Sequence, residues 1–182
     1  MLSLEPEVID APFGVDIEET WFRLVGVEEL TALGRDRFRS RADLLTAVTR
    51  QGYEAASKIT LDDYVEARRA RFKYVRVLDE LLQGDALLVS PTMCVEGFPA
   101  DDTENLTPDE AYNTQVANLT GHPAVSLPAR TSSNEVPFGI QLMAERFGED
   151  LLLAVGEIWE RSCPWPTSAP NCEPFPGSLL DD

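Results

Sequence analysis

The 182-residue chain offers one histidine, His122, and three cysteines, Cys94, Cys163 and Cys172, for nucleophilic or metal chemistry. His122 stands between Gly121 and Pro123, in a turn leading into a predicted strand. A Ser–His or Cys–His pair would use its imidazole as the base. No flanking pattern for either role surrounds it, so packing or hydrogen bonding is the expected role. The cysteines are separated by 69 residues (94 to 163) and 9 residues (163 to 172), which is not the spacing of a zinc cluster. No metal site is therefore expected. Cys94 follows Pro91-Thr92 and can be read as a thiol nucleophile, but no base is identifiable for it. Cys163 and Cys172 bracket three prolines and read as free thiols, or as a small closed loop if oxidised.

Carboxylate pairs are plentiful, at Glu18-Glu19, Glu28-Glu29, Asp62-Asp63, Asp101-Asp102 and Asp181-Asp182. In a chain with 32 acidic residues such pairs follow from abundance, and they read as solvated faces and helix caps rather than acid–base dyads. The glycines are isolated, with no GxGxxG or GxxxxGK spacing to cradle a phosphate, and no cofactor is expected. Only two lysines occur, Lys58 and Lys73; the second sits between Phe72 and Tyr74 inside a predicted helix and is expected to face solvent.

The elements that must position any site follow from periodicity. An extended lead-in over residues 1 to 16 gives way to a helix from Ile17 to about Leu33, with Trp21, Leu24, Val25 and Leu30 near one face. A second helix is predicted over Arg35 to Thr49, carrying Phe38, Leu44, Leu45 and Val48 and broken by Gly52. The clearest helix runs from Leu61 to Gln83. Thr60 and Asp63 have capping-box spacing, and Tyr64, Val65, Phe72, Val75, Leu78, Leu81 and Leu82 form its apolar stripe. Gly84 ends it, a short buried strand follows over Ala86 to Val89, and Pro91 closes that strand. Thr107-Pro108-Asp109-Glu110 opens another helix, with Pro in the first turn and acids at the positive dipole end. Ala124 to Leu127 and Phe138 to Met143 read as strands, and Glu149 to Arg161 as a last helix. Residues 1–161 form one domain, helix-rich over 1–84 and strand/helix over 85–161. The tail over 162–182, with five of the 13 prolines, reads as irregular. Helices first and strands interleaved with helices later point to an α/β layered domain.

Composition bounds the function. With 43% hydrophobic and 26% charged residues the chain is of ordinary globular type. A net charge of −17 argues against nucleic acid and anionic membrane as partners, because both demand a basic surface. The basic residues are almost all arginine; an acidic, lysine-poor surface suits a salty interior, and biased base composition produces the same pattern. The first residues carry neither a basic start nor an apolar run. No apolar stretch reaches the about 18 residues that read as a membrane span. With too few cysteines for a secreted disulfide framework, a cytoplasmic location is expected.

Three segments in order then carry a resemblance. Asp85-Ala86-Leu87-Leu88-Val89-Ser90-Pro91-Thr92, the run from Asn118 through Leu119-Thr120-Gly121-His122-Pro123-Ala124-Val125-Ser126-Leu127 to Pro128, and Pro137-Phe138-Gly139-Ile140-Gln141-Leu142 together resemble the C-terminal third of the amidase signature family. A weaker likeness begins near Gln51-Gly52-Tyr53 and continues through Asp63-Tyr64-Val65-Glu66-Ala67-Arg68. The resemblance implies an α/β fold, the C-terminal part of a three-layer α/β/α arrangement around a mixed sheet. It also implies hydrolysis of carboxamide C–N bonds by two serines and a lysine, with backbone N–H groups holding the oxyanion.

The family's Gly/Ser-rich catalytic segment has no counterpart here. Ser132-Ser133 lie in a polar loop without flanking glycines, and Lys58 and Lys73 lack the family's lysine context. No catalytic residue is therefore assigned. The region is expected to supply sheet strands and pocket walls, with Pro91, Thr92, Met93 and Asn118 as candidate substrate-binding residues. Each also has a purely structural reading, Pro91 as the end of a strand and Asn118 as a helix cap. Two roles remain open: a C-terminal amidase portion, inactive until joined by the missing N-terminal amidase portion or a homo-oligomer partner and then acting on a small carboxamide; or a non-catalytic binding module derived from an amidase. In the second, the Trp21 helix and a tail bearing Trp165, Phe175 and Leu179-Leu180 cover the exposed surface.

Overall fold

A computed structural model describes residues 6–14, 16–95, 111–129 and 138–164. Four helices precede the first strand: α1 (Asp16–Leu33), α2 (Arg35–Arg41), α3 (Ala47–Ala56) and α4 (Leu61–Leu81). Then come β1 (Leu88–Pro91), α5 (Tyr112–Thr120), β2 (Ala124–Ala129), β3 (Phe138–Met143) and α6 (Glu149–Ser162). The helix expected to open at Thr107 is seen from Tyr112; Thr107 to Glu110, Ser132-Ser133, Cys172 and the tail from Trp165 lie outside the described residues.

The single helix expected over Arg35 to Thr49 is two. α2 stops at Arg41, a 3-10 turn covers Ala42–Leu44, and Leu45 is extended. Thr46 then caps α3, its hydroxyl accepting from the Thr49 N–H. A hydroxyl at that place gives the orphan N–H groups of a new helix a partner, so the chain restarts rather than continues. Leu44 and Val48, expected on an apolar stripe, are exposed. Gly52 does not break the helix but lies within α3, at a cost of about 1 kcal/mol against alanine.

α4 begins on the expected capping box, with Thr60 and Asp63 exchanging side-chain and backbone hydrogen bonds. Its buried face is Ala67, Tyr74 and Leu78, with Leu82 just past its end, so Tyr74 takes the inward place expected of Phe72, which is 66% exposed. Lys73 faces solvent. Gly84 and Asp85 both adopt positive φ, and this tight turn delays the strand from Ala86 to Leu88.

The strands are ordered β1-β3-β2, and both pairings are antiparallel. The parallel pairings of a mixed sheet are thus not among these three strands. Successive residues point to opposite faces, and the register sorts them. Leu88, Ser90, Gln141, Met143, Ala124 and Ser126 share one face; Val89, Pro91, Ile140, Leu142, Val125 and Leu127 share the other. On the first face Met143 and Leu88 join Ile17, Leu24, Tyr74, Leu78, Val116 and Leu119 in the core shared by α1, α4 and α5. On the second, Leu127 and Leu142 pack with Leu152, Val155 and Trp159 of α6. The Trp159 indole N–H donates to the Pro128 carbonyl at 3.0 Å, pinning α6 to β2. Helices thus cover both faces of the sheet, an α/β/α arrangement in miniature. Among the described residues no helix is long and apolar enough to cross a membrane.

Candidate functional site

The polar side chains of the first sheet face form a row. Ser90, Gln141 and Ser126 stand in register across β1, β3 and β2. Gln141 is buried, and its amide donates to the Asn113 carbonyl at 3.0 Å and to Ser90 Oγ at 3.4 Å. Asn113, in the first turn of α5, donates in turn to the Pro91 carbonyl at 2.8 Å. Helix and strand end are therefore tied by amide groups whose geometry is set on both sides.

Beyond Pro91 the chain bends, but Thr92 keeps one ladder bond, its N–H donating to the Gly139 carbonyl at 2.8 Å. Thr92 Oγ1 then meets Ser126 Oγ at 2.6 Å across the top of Gly139. A Cβ at position 139 would lie 2.5 Å from both hydroxyl oxygens, so glycine is what lets the two approach. Two hydroxyls in one hydrogen bond commit one proton and leave the other free to donate. The pair thus presents one O–H and several lone pairs at an exposed sheet end.

Of the residues singled out in the sequence, Pro91 and Thr92 come together here, and Met93 follows in the same bend, its side chain exposed. Asn118 does not join them; its amide donates back to the Thr114 carbonyl at 2.9 Å along its own helix. The cap of α5 is instead Gly121, in the left-handed conformation. Ser126, Gly139 and Gln141 fall within the segments that carry the resemblance without being singled out there. Strand register is what brings them together: period-2 alternation places Ser126 on a face, but not opposite Gln141. Asn113 is disclosed only by the seating of α5 against the strand end.

His122 stands apart from this row. It is 4% exposed, its Nδ1 3.0 Å from Thr120 Oγ1. The Thr120 hydroxyl donates to the Val116 carbonyl at 2.8 Å. The His122 Nε2 lies 3.3 Å from Asp79 Oδ1, outside hydrogen-bonding geometry. Burial holds the His122 pKa below its ordinary value; Asp79 pulls it up and Arg146 pushes it down again. With the folded pKa below the unfolded one, the stabilising contribution is complete above the unfolded value of about 6.5 and is lost as pH falls through the folded one. The unfolding free energy is therefore expected to be level from pH 8 to 7 and to drop below about pH 6.5, by at most about 1.4 kcal/mol per pH unit for this proton. His122→Asn, followed by urea unfolding at each pH, should remove that part of the slope; an unchanged slope would disprove the assignment.

Cys94 and Cys163 are both exposed free thiols. Among the described residues no ionisable base hydrogen-bonds to the Thr92–Ser126 pair. Nor do three His, Cys, Asp or Glu side chains among those residues gather as metal ligands.

Residues 26–153 match the family described as Amidase. The putative amidase AmiD of Mycobacterium tuberculosis (strain ATCC 25618 / H37Rv) is 29% identical over 133 residues, covering 69% of this chain and 28% of that protein. An amidase of Pseudomonas putida is 25% identical over 173 residues, covering 90% of this chain and 37% of that protein. A crystal structure of an amidase superposes with a TM-score of 0.72 at 22% identity, over 81% of this chain and 36% of the other, a likeness of fold. The chain thus spans 28% and 37% of the lengths of the two named relatives. A family match running through α3, α4, all three strands and into α6 leaves one conclusion: the chain belongs to the amidase family.

Proposed function

We propose that this chain is the C-terminal portion of an amidase-family hydrolase of carboxamide C–N bonds. It supplies sheet strands and one wall of the substrate pocket, and it acts with a portion that carries the nucleophile and base. The observation that carries this reading is the Thr92–Ser126 hydroxyl pair over Gly139, backed by Asn113 and Gln141. It is a neutral hydrogen-bonding surface to which no ionisable base is hydrogen-bonded among the described residues. Thr92, with Pro91 and Met93 beside it, lines the pocket in this reading, and Asn118 holds the helix that frames it.

The outer strands β1 and β2 each have one partner among the described residues. Such edges are templates for further strands, which the remaining amidase portion would provide. A small carboxamide is then the substrate, its polar end against the hydroxyl pair. In a full-length relative the same three strands would be completed by residues outside the matched region, since the chain corresponds to only 28% and 37% of the named relatives.

The test is complementation. The chain is purified alone and with the N-terminal two thirds of an amidase relative, and ammonia release from benzamide is followed. Alone, no release above the uncatalysed rate is expected; together, release appears and falls at least tenfold with Ser126→Ala. Hydrolysis by the chain alone would overturn the proposal. Stable binding of benzamide with no activity in any combination would favour the non-catalytic binding module.

A further inference from the structure

A concavity away from the sheet row has a charge opposite to that of the protein. Chain-wide, 32 acidic residues face 15 basic ones. Yet a cavity of about 470 Å³ on the outer side of α4 is walled by Arg71, Arg76 and Arg146 against a single acid, Asp79, with Phe72, Val75 and Thr120 completing it. The arrangement follows from helix geometry. Positions 71, 72, 75, 76 and 79 recur at three and four residues and share one helical face. Arg146 arrives from the turn after β3.

Arg146 is placed rather than merely near. Asp79 Oδ2 holds Arg146 Nη2 at 2.7 Å, which fixes that guanidinium over the cavity. A guanidinium carries five N–H donors in a planar fork, so one bond to Asp79 leaves the remainder for another acceptor. Arg76 approaches Glu80 only at 3.7 Å, through Nε, leaving its terminal nitrogens uncommitted to that pair. Behind this wall the buried Nε2 of His122, without a hydrogen bond, faces the other oxygen of Asp79. The Asp79 carboxylate thus has Arg146 on one oxygen and the His122 ring beside the other.

The apolar part of the cavity is equally unusual. Phe72, an aromatic ring on the exposed face of a helix, stands between the two α4 arginines in sequence and is 66% exposed. Its neighbour Val75 adds aliphatic surface to the same wall. Forked donors beside an aromatic face suit a ligand with an oxyanion at one end and an apolar body at the other.

We infer that this cleft is a binding site for a small organic oxyanion, its carboxylate or phosphate held by Arg71, Arg76 and Arg146 and its apolar body lying on Phe72 and Val75. The site is separate from the amide-binding row and does not depend on the amidase reading. Its ligand would be excluded from the rest of the surface by repulsion, since the protein field is negative.

The test uses the whole chain with benzoate, inorganic phosphate and sodium chloride at matched ionic strength, read by calorimetry. Saturable benzoate binding is expected, weakened at least tenfold by Arg71→Gln/Arg76→Gln and at least threefold by Phe72→Ala. Arg161→Gln, on the distant α6, should leave it unchanged. Arg71 and Arg76 are exposed, so the double variant should keep its fold, which circular dichroism verifies. Phosphate binding without benzoate binding, or loss of phosphate binding alone in the double variant, would overturn the apolar part of the inference. A response that chloride reproduces, or one that the double variant leaves intact, would overturn the site altogether. Benzoate binding with a failed complementation assay would leave this site standing and the amidase reading fallen.

Discussion

Leu78→Ala is expected to lower the unfolding free energy by about 2–5 kcal/mol, the range for removing a buried leucine and leaving a cavity. Leu78 is fully buried and belongs to the core joining α1, α4, α5 and the sheet through Ile17, Leu24, Val116, Leu119 and Met143. Its neighbours come from separate elements, each held by its own hydrogen bonds, so collapse around the void is limited. The control is Leu61→Ala at the start of the same helix, where the side chain is 75% exposed. That change should stay within about 0.5 kcal/mol. Urea midpoints with an unchanged slope would measure both. Equal effects at the two positions would mean that the core about α4 is not packed as described.

Gly139→Ala is the second large effect. Its new Cβ would meet Thr92 Oγ1 and Ser126 Oγ at 2.5 Å and Thr92 Cβ at 2.9 Å. Thr92 is β-branched with a stiff χ1, and its N–H is committed to the Gly139 carbonyl, so it cannot swing away without losing that bond. The cost expected is about 1–3 kcal/mol, as for other overpacked sites. A cycle separates crowding from any general dislike of alanine in β3: in a Thr92→Ala/Ser126→Ala background the same substitution should cost less by about 1 kcal/mol or more. Equal costs in both backgrounds would remove Gly139 from its assigned role. In the complemented enzyme, Gly139→Ala should also reduce carboxamide turnover, because the hydroxyl pair parts.

The readable and the unreadable features differ by how far along the chain their causes lie. The Thr60–Asp63 capping box, α1 from its 3.6-residue pattern, and β3 over Phe138 to Met143 are legible because each rests on neighbours within a few residues. The split between α2 and α3 escapes periodicity because Thr46 reads as an interior helix residue, when its hydroxyl is a cap that competes with helix continuation. Phe72 and Tyr74 stand two residues apart, about 200° around the helix. Tyr74, four residues before Leu78 and eight before Leu82, shares the buried face, whereas Phe72 is out of phase with them. Tyr74 is the one inward, its ring 6.3 Å from that of Phe13. At the site, Thr92 is marked by following a strand end, while its partner Ser126 lies 34 residues on.

The residues by themselves determined the family, through three short segments in order, and the class of fold, through the succession of helical and alternating patterns. Only the tertiary structure decided that Thr92 meets Ser126, that Asn113 rather than Asn118 reaches the strand end, and that Arg146 closes on Arg71 and Arg76 around Asp79. The reason is physical: local periodicity specifies which face of an element is apolar, whereas strand register and helix packing specify which polar groups on different elements come within hydrogen-bond distance.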